Sequence, residues 1–172
     1  MDVFLAPGAS GTVETMRPYL DGLARRGIEA HGVSLPRGKA EAAVATYRAA
    51  VAAAGIPLAE AVIGGQSYGG RVASLLSTEE SPAGLLLVCY PLHRPGHADD
   101  LRADHWPQVR CPTLLLSGEA DPLARIDLLR REVNSLADAR LFTFPNVGHG
   151  LGPVLEAALD RMAEFVEELA RP

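Results

Sequence analysis

The stretch GGQSYGGRVASLL, residues 64–76, places four glycines around a single serine, Ser67. A glycine in a helix costs about 1 kcal/mol relative to alanine, so this concentration beside one hydroxyl needs a specific reason. The apolar residues before the stretch predict a strand and those after Ser67 predict a helix, so the chain must reverse within about two residues. At the apex of such a turn we expect Ser67 to adopt an unfavourable backbone conformation, with Gly65 and Gly69 on its crowded side.

This pattern is typical of a nucleophile elbow, a turn that exposes a reactive hydroxyl at the carboxyl edge of a sheet. The hydroxyl of Ser67 then lies at the N-terminus of the following helix, whose free N–H groups stabilise developing negative charge. The alternative is a tight turn in which Ser67 is an ordinary helix cap. The glycines favour the elbow, because they leave the hydroxyl exposed and approachable.

Short apolar runs alternate with longer amphipathic segments along the chain, which predicts βα units around a parallel sheet. The runs LLLV (85–88) and LLL (114–116) do not alternate with polar residues and indicate strands covered by helices on both faces. We therefore predict one α/β domain spanning residues 1–172. The predicted strands cover residues 3–6, 28–34, 61–65, 84–90, 113–117 and 140–144, and the predicted helices cover residues 13–26, 38–54, 68–77, 123–136 and 153–170.

Composition excludes several classes of protein. The net charge of −5 and the lack of a long Lys or Arg run argue against a nucleic-acid-binding surface. The N-terminus lacks a signal-peptide pattern and no apolar stretch approaches the ~18 residues of a membrane span, so we expect a cytoplasmic protein that does not bind membranes. Cys89 and Cys111 fall at opposite ends of predicted strands, so we expect two reduced core thiols.

A serine nucleophile needs a base and an acid that orients it, and both are predicted at the same sheet edge. Asp121 follows the strand at 113–117 in the segment GEADPL, and His149 follows the strand at 140–144 in PNVGHGL. The order serine, acid, histidine, each after a strand, is typical of this catalytic arrangement. We predict that Ser67, Asp121 and His149 meet as nucleophile, acid and base.

These two residues also have structural alternatives. Asp121 precedes Pro122, a combination common at helix starts, and Glu119 competes for the role of the acid. His149 lies between two glycines in a loop, where packing gives no reason for a histidine, so catalysis is the favoured interpretation.

The loop APGASG, residues 6–11, is predicted to complete the site. An oxyanion hole requires two N–H donors, and we assign these to Tyr68 and Ala9. Pro7 has no N–H to donate, whereas Gly8 permits a close turn that directs the next amide inward. A phosphate-binding loop is disfavoured, because neither the Walker pattern nor a full GxGxxG is present.

Residues 91–112 are polar and Pro-rich, and we expect a solvated surface excursion that leaves the cleft open. Gly8, Tyr90, Leu92 and His93 are predicted to contact substrate, the last three as one wall of the cleft. A mobile loop offers no fixed ligand geometry, so we predict no metal site and no cofactor. The side chains with metal-ligand chemistry in this region are His93, His97, Asp99, Asp100, Asp104 and His105.

The segments GGQSYGGRVAS, YPLHRPG, GEADP and GHGL resemble those of the α/β-hydrolase superfamily in a small form without a cap domain. They are similar to a branch that includes dienelactone-hydrolase-like proteins and the testis-expressed and NSL-complex-subunit relatives. The resemblance implies six parallel strands in the order 2-1-3-4-5-6, with helices on both faces. Many members have His-Gly where this chain has Pro7-Gly8. The site residues that the resemblance implies are Ser67, His149, Asp121, Tyr68 and Ala9.

The activity implied is that of a serine hydrolase, cleaving a small-molecule acyl ester through an acyl-enzyme, without metal. Two alternatives stay open on the sequence. One is a binding or scaffold module that retains the fold with an idle triad. The other is an acyltransferase or perhydrolase with the same three residues. The sequence does not indicate an oligomeric state.

Overall fold

A computed structural model describes residues 1–171 as one sheet with helices on both faces. The strands are β1 (Asp2–Ala6), β2 (Ala30–Gly32), β3 (Ala61–Gln66), β4 (Gly84–Val88), β5 (Thr113–Gly118) and β6 (Ala139–Phe144). The helices are α1 (Arg17–Ala24), α2 (Ala40–Ala53), α3 (Tyr68–Glu79), α4 (Ile126–Glu132) and α5 (Leu155–Leu169). All pairs are parallel and the order is β2-β1-β3-β4-β5-β6, so the predicted fold class and strand order are confirmed.

Two apolar cores lie on opposite faces of the sheet. One packs α2, α3 and α4 against it, with Tyr47 and Leu76 among its buried side chains, and the other packs α1 and α5, with Leu23 and Phe165. Every residue of β4 and β5 is buried, as their unbroken apolar runs predict. Burying one such side chain contributes about 1.5–3 kcal/mol. No helix in residues 1–171 is long and apolar enough to span a bilayer.

Several element boundaries differ from the sequence prediction. The helix predicted at 13–26 is a 3₁₀ turn, Val13–Met16, followed by α1, and the edge strand predicted at 28–34 pairs only over Ala30–Gly32. The helix predicted at 123–136 begins three residues later, because the Asp121 carboxylate accepts the N–H of Leu123 and forms a turn there. The strand predicted at 84–90 ends at Val88.

The excursion at residues 91–112 is anchored in the core, which corrects the expectation of a solvated, mobile loop. Trp106 is fully buried against Tyr90, with ring centroids 4.9 Å apart, and Leu92 and Val109 are buried beside them. Only its middle, residues 94–100, is mostly exposed. Apolar side chains spaced irregularly among polar ones give no periodic signal, so the sequence does not reveal this anchoring.

The connection between β3 and α3 is as sharp as predicted. Ser67 has φ 50° and ψ −112°, a strained conformation for a residue with a side chain. A Cβ added at Gly65 or Gly69 would overlap the carbonyl oxygen of Ala6 in β1. The two glycines therefore let α3 approach the backbone of β1 closely enough to hold the turn.

Replacing Gly69 by alanine should lower the free energy of unfolding by about 1–3 kcal/mol, because the new methyl group meets backbone atoms that cannot move without shifting β1. Urea unfolding monitored by circular dichroism measures the change. Gly152→Ala is the matched control, since no heavy atom lies within 4 Å of a Cβ there, and it should stay within about 0.5 kcal/mol of wild type. Equal stability of the two variants would contradict the close approach.

Candidate active site

The turn after β3 and the loops after β1, β5 and β6 meet at the carboxyl edge of the sheet. The strand order reverses there between β1 and β3. The loop after β1 brings Gly8 against Ser67, since a Cβ on Gly8 would lie 3.7 Å from the Ser67 Cβ. The loops after β5 and β6 carry Asp121 and His149 to the same edge. Residues that are distant in the sequence therefore lie close together at one edge of the sheet.

Ser67, His149 and Asp121 form one hydrogen-bonded chain. The Nε2 atom of His149 lies 2.9 Å from the Ser67 Oγ, and its Nδ1 atom lies 2.7 Å from Asp121 Oδ2. The Asp121 side chain is fully buried, whereas 24% of the His149 side chain is exposed. Because an ionised carboxylate only accepts hydrogen bonds, Nδ1 carries the proton, and the Ser67 hydroxyl donates to the lone pair on Nε2.

The two oxygens of Asp121 have separate tasks. Oδ2 contacts His149, and Oδ1 accepts the N–H of Leu123 at 2.8 Å. Asp121 therefore stabilises a local turn before α4, but it is not the N-cap of that helix, which is Arg125. Glu119, the competing acid, points elsewhere: its Oε1 accepts from Thr143 at 2.7 Å and from Arg130 at 2.9 Å.

Backbone contacts fix the loop that carries His149. A Cβ on Gly118 would overlap the carbonyl oxygens of Val147 and Gly148, so β5 and the His149 loop touch through their main chains. The N–H of Ala120 donates to the Val147 carbonyl at 2.9 Å. Sequence reasoning missed Gly118, although a glycine at the end of a buried strand is a signal for such an approach.

The two predicted oxyanion donors border the same space. The main-chain N–H of Tyr68 lies in the first turn of α3, and Ala9 is exposed in the loop beside Gly8. That loop is closed by a hydrogen bond from the Gly11 N–H to the Gly8 carbonyl at 2.9 Å. Within residues 1–171 neither the Tyr68 nor the Ala9 N–H has a protein acceptor, so both are free to donate to a ligand.

Tyr90, Leu92 and His93 do not form a wall of the cleft, contrary to the sequence prediction. Each is at most 2% exposed, because the excursion folds inward and takes their side chains into the core. His93 instead contacts the segment that follows Asp121. Its Nε2 accepts the N–H of Arg125 at 3.0 Å, and its Nδ1 donates to the Arg94 carbonyl at 2.9 Å.

A second serine–histidine contact lacks the features of the first. The Ser74 Oγ lies 2.8 Å from His105 Nε2, but Ser74 is fully buried within α3. Burial, and then the charge of Arg71, lower the pKa of His105 to about 4. No carboxylate hydrogen bonds to His105 in the described part of the chain, so this pair has no orienting acid.

Two cavities border Tyr68, the residue that follows Ser67. One of about 150 Å³ is also lined by Gly8 and Ala9, and a second of about 250 Å³ is lined by residues of α2 and α3. Sequence reasoning missed the second cavity, whose lining includes Lys39, Arg71 and Arg102. No group of three or more His, Cys, Asp or Glu side chains with metal-binding geometry occurs among residues 1–171.

The sheet order and the sharp strand–helix turn define an alpha/beta hydrolase fold, and the comparison with sequence families agrees. The sequence-family model for the alpha/beta hydrolase domain matches residues 18–170, so the chain belongs to this family.

Solved structures share this fold at low identity. Est1E from Butyrivibrio proteoclasticus, bound to ferulic acid, has a TM-score of 0.82 at 16% identity, with 98% of this chain and 89% of that chain covered. A monoacylglycerol lipase from Paleococcus ferrophilus has a TM-score of 0.81 at 13% identity, with 98% of this chain and 94% of that chain covered. A protein described as a predicted CIB-like hydrolase, from Thermoplasma acidophilum, has a TM-score of 0.80 at 19% identity, with 97% of this chain and 86% of that chain covered. Identities this low establish the common fold alone.

Cys89 lies directly after β4, next to the acid of the hydrogen-bonded chain. It has φ 48° and is fully buried. Burial, and then the negative charge of Asp121, raise the pKa of its thiol to about 12, and burial raises that of Cys111 to about 11. Both thiols are free, as the sequence predicts, and both are protonated at neutral pH.

Native protein at pH 8 should therefore react very slowly with Ellman's reagent, because the thiolate is the reactive form and both sulfurs are buried. After unfolding in guanidinium chloride, both cysteines should react quickly. Absorbance of the released thionitrobenzoate gives the count in each state. Rapid release of one equivalent from the native protein, assigned with Cys111→Ala, would contradict the environment described for Cys89.

Proposed function

We propose that this protein is a serine hydrolase that cleaves a small acyl ester, with Ser67 as nucleophile, His149 as general base and Asp121 as the orienting acid. The observation that carries the proposal is the unbroken hydrogen-bonded chain from a buried carboxylate, through an imidazole, to a strained serine hydroxyl. Membership of the alpha/beta hydrolase family supports it. Esterase and lipase activities named for proteins of the same fold agree with it.

In the first step the Ser67 Oγ attacks the ester carbonyl carbon while its proton passes to Nε2 of His149. The carbonyl oxygen becomes an oxyanion. The imidazole becomes an imidazolium, which the Asp121 carboxylate stabilises through the hydrogen bond at Nδ1. The bond to the leaving oxygen then breaks, and the leaving alcohol takes the proton from Nε2, which leaves an acyl-enzyme on Ser67.

In the second step a water molecule attacks the acyl-enzyme and gives its proton to His149. The second tetrahedral intermediate breaks at the bond to Ser67, whose Oγ takes the proton back, and the carboxylic acid is released. The 24% exposure of the His149 side chain supports direct access of water to this base. An acyltransferase differs at this step alone, because another nucleophile replaces water.

The N–H groups of Tyr68 and Ala9 are proposed to stabilise the oxyanion in both steps. Tyr68 adds the partial positive charge at the N-terminus of α3, a helix of 12 residues. Removing one such donor costs about 3 kcal/mol in comparable sites. The adjoining cavity of about 150 Å³ favours a short acyl or alcohol group.

A fluorophosphonate probe tests the proposal directly. Wild type should gain one covalent adduct on Ser67, located by peptide mass spectrometry, and Ser67→Ala should gain none. Hydrolysis of p-nitrophenyl acetate should fall by about 10⁴-fold in the same variant. Ser74→Ala is the matched control, since Ser74 also contacts a histidine, and it should be labelled like wild type. A folded wild type that gains no adduct would favour a binding module with an idle triad.

The identity of the acid is tested by a matched pair of substitutions. Asp121→Asn should lower kcat by about 10³–10⁴-fold, because an amide neither fixes the Nδ1–H tautomer of His149 nor stabilises its cation. Glu119→Gln should retain nearly all activity, because its carboxylate contacts Thr143 and Arg130 and not His149. Circular dichroism confirms that both variants fold. A larger loss in the Glu119 variant would reverse the assignment.

A further inference from the structure

Three cations line one cavity, which also borders Tyr68, in a chain whose net charge is −5. Lys39, Arg71 and Arg102 line the cavity of about 250 Å³ that borders Tyr68, and Glu41 is its single carboxylate. We call this cavity the cationic trough. Its lining carries three positive charges and one negative charge, which is the reverse of the charge balance of the whole molecule.

The cationic trough is linked to Ser67 through the first turn of α3. Tyr68, which follows Ser67 directly, lines both this trough and the cavity along the predicted oxyanion loop. Arg71 lies one helical turn after Ser67, and its N–H donates to the Ser67 carbonyl at 3.0 Å. The Arg71 side chain extends to Glu41 of α2, with which it pairs at 3.1 Å.

Each cation is positioned by a separate fixed element. Arg71 belongs to α3 and Lys39 directly precedes α2. The main chain of Arg102 is held on both sides: its N–H donates to the Leu92 carbonyl at 2.7 Å, and its carbonyl accepts the Tyr90 hydroxyl at 2.6 Å. The buried anchors of the excursion thus place Arg102 at the trough.

The cations of the trough are only partly neutralised. Across residues 1–171, Arg71 pairs with Glu41 at 3.1 Å, whereas Lys39 and Arg102 are in no ion pair. The Nε of Arg71 is buried and has no hydrogen-bond acceptor within the described residues. Burial, and then repulsion by Arg71 and Arg94, lower the pKa of Arg102. An incoming anion would relieve the repulsion among these cations.

The surroundings of the one carboxylate that lines the trough stabilise its charged form. Glu41 lies in the first turn of α2, and its own backbone N–H, followed by Arg71 and Lys39, holds its pKa below the usual value. The N-terminus of α2, a helix of 14 residues, adds partial positive charge.

We propose that the cationic trough binds an anionic group, a carboxylate or a phosphate, carried by the substrate whose ester Ser67 cleaves. This inference rests on the proposed function and names the substrate class. The anion lies across Tyr68 from the oxyanion loop, and Arg102 and Lys39 hold it while the ester carbonyl reaches the Ser67 hydroxyl. The substrate is then a short diacid half-ester or a phosphorylated ester, and not a neutral lipid.

The test compares p-nitrophenyl half-esters of succinic, glutaric and adipic acid with their methyl esters, which have the same chain without the charge. In wild type the best half-ester should exceed its methyl ester in kcat/KM by about tenfold or more, the gain expected of charge-assisted hydrogen bonds. Arg102→Gln and Lys39→Gln should each remove most of this preference and leave the methyl ester nearly unchanged.

Arg161→Gln is the matched control. Arg161 belongs to α5, on the face of the sheet opposite to α2 and α3, pairs with Glu164 at 2.7 Å and does not line the trough. Its loss should change the half-ester preference by less than about twofold. Equal kcat/KM for charged and methylated esters in wild type, or a parallel loss on both in the trough variants, would overturn the proposal.

A binding measurement separates this proposal from the proposed function. Succinate and inorganic phosphate should each raise the melting temperature of Ser67→Ala, and the added Arg102→Gln substitution should abolish the rise. The stronger of the two ligands identifies the anion as carboxylate or phosphate. Binding without ester hydrolysis in wild type would reject the hydrolase and retain the anion site. Hydrolysis without binding or charge preference would retain the hydrolase and reject the anion site.

Discussion

The close approach of α3 to the backbone of β1 is the contact on which the rest of the site depends. It exists because Gly65 and Gly69 present no Cβ to the Ala6 carbonyl. It holds Ser67 at a positive φ, a conformation that costs about 1–3 kcal/mol and needs support from its surroundings. The same contact sets the distance between Ser67 and the loop after β1, so a single packing constraint fixes both the hydroxyl and the candidate oxyanion donor.

The remaining positions follow from the order of strands in a parallel sheet. Asp121 and His149 are 28 residues apart in sequence, yet they meet because β5 and β6 are neighbours that end at one edge. Gly118 brings the two loops into main-chain contact, which fixes the backbone of the segment before His149. The sheet supplies the approximate placement, and the glycine contacts bring it within hydrogen-bond distance.

The sequence predicts those features whose cause is local. The glycines around Ser67 identify the turn, because turn chemistry has a short-range signal. The apolar runs directly before Asp121 and His149 identify strand ends in the same way. The burial of Trp106 and Leu92 is not recognisable, since it depends on where the excursion meets α3 and β4. The cationic trough is equally hidden: Lys39, Arg71 and Arg102 belong to three elements, and no spacing in the sequence connects them.

Residues 1–171 form no separate cap over the sheet, and this bears on how the proposed substrate is recognised. The excursion of 22 residues, 91–112, packs most of its apolar side chains into the core, so they are not available to cover a substrate. In the proposed anion site selectivity comes instead from directed polar contacts, which are effective where cations are partly desolvated. Leu92 of the excursion and Tyr90, just before it, hold the main chain of Arg102 for this purpose, and the side chains of both residues stay buried.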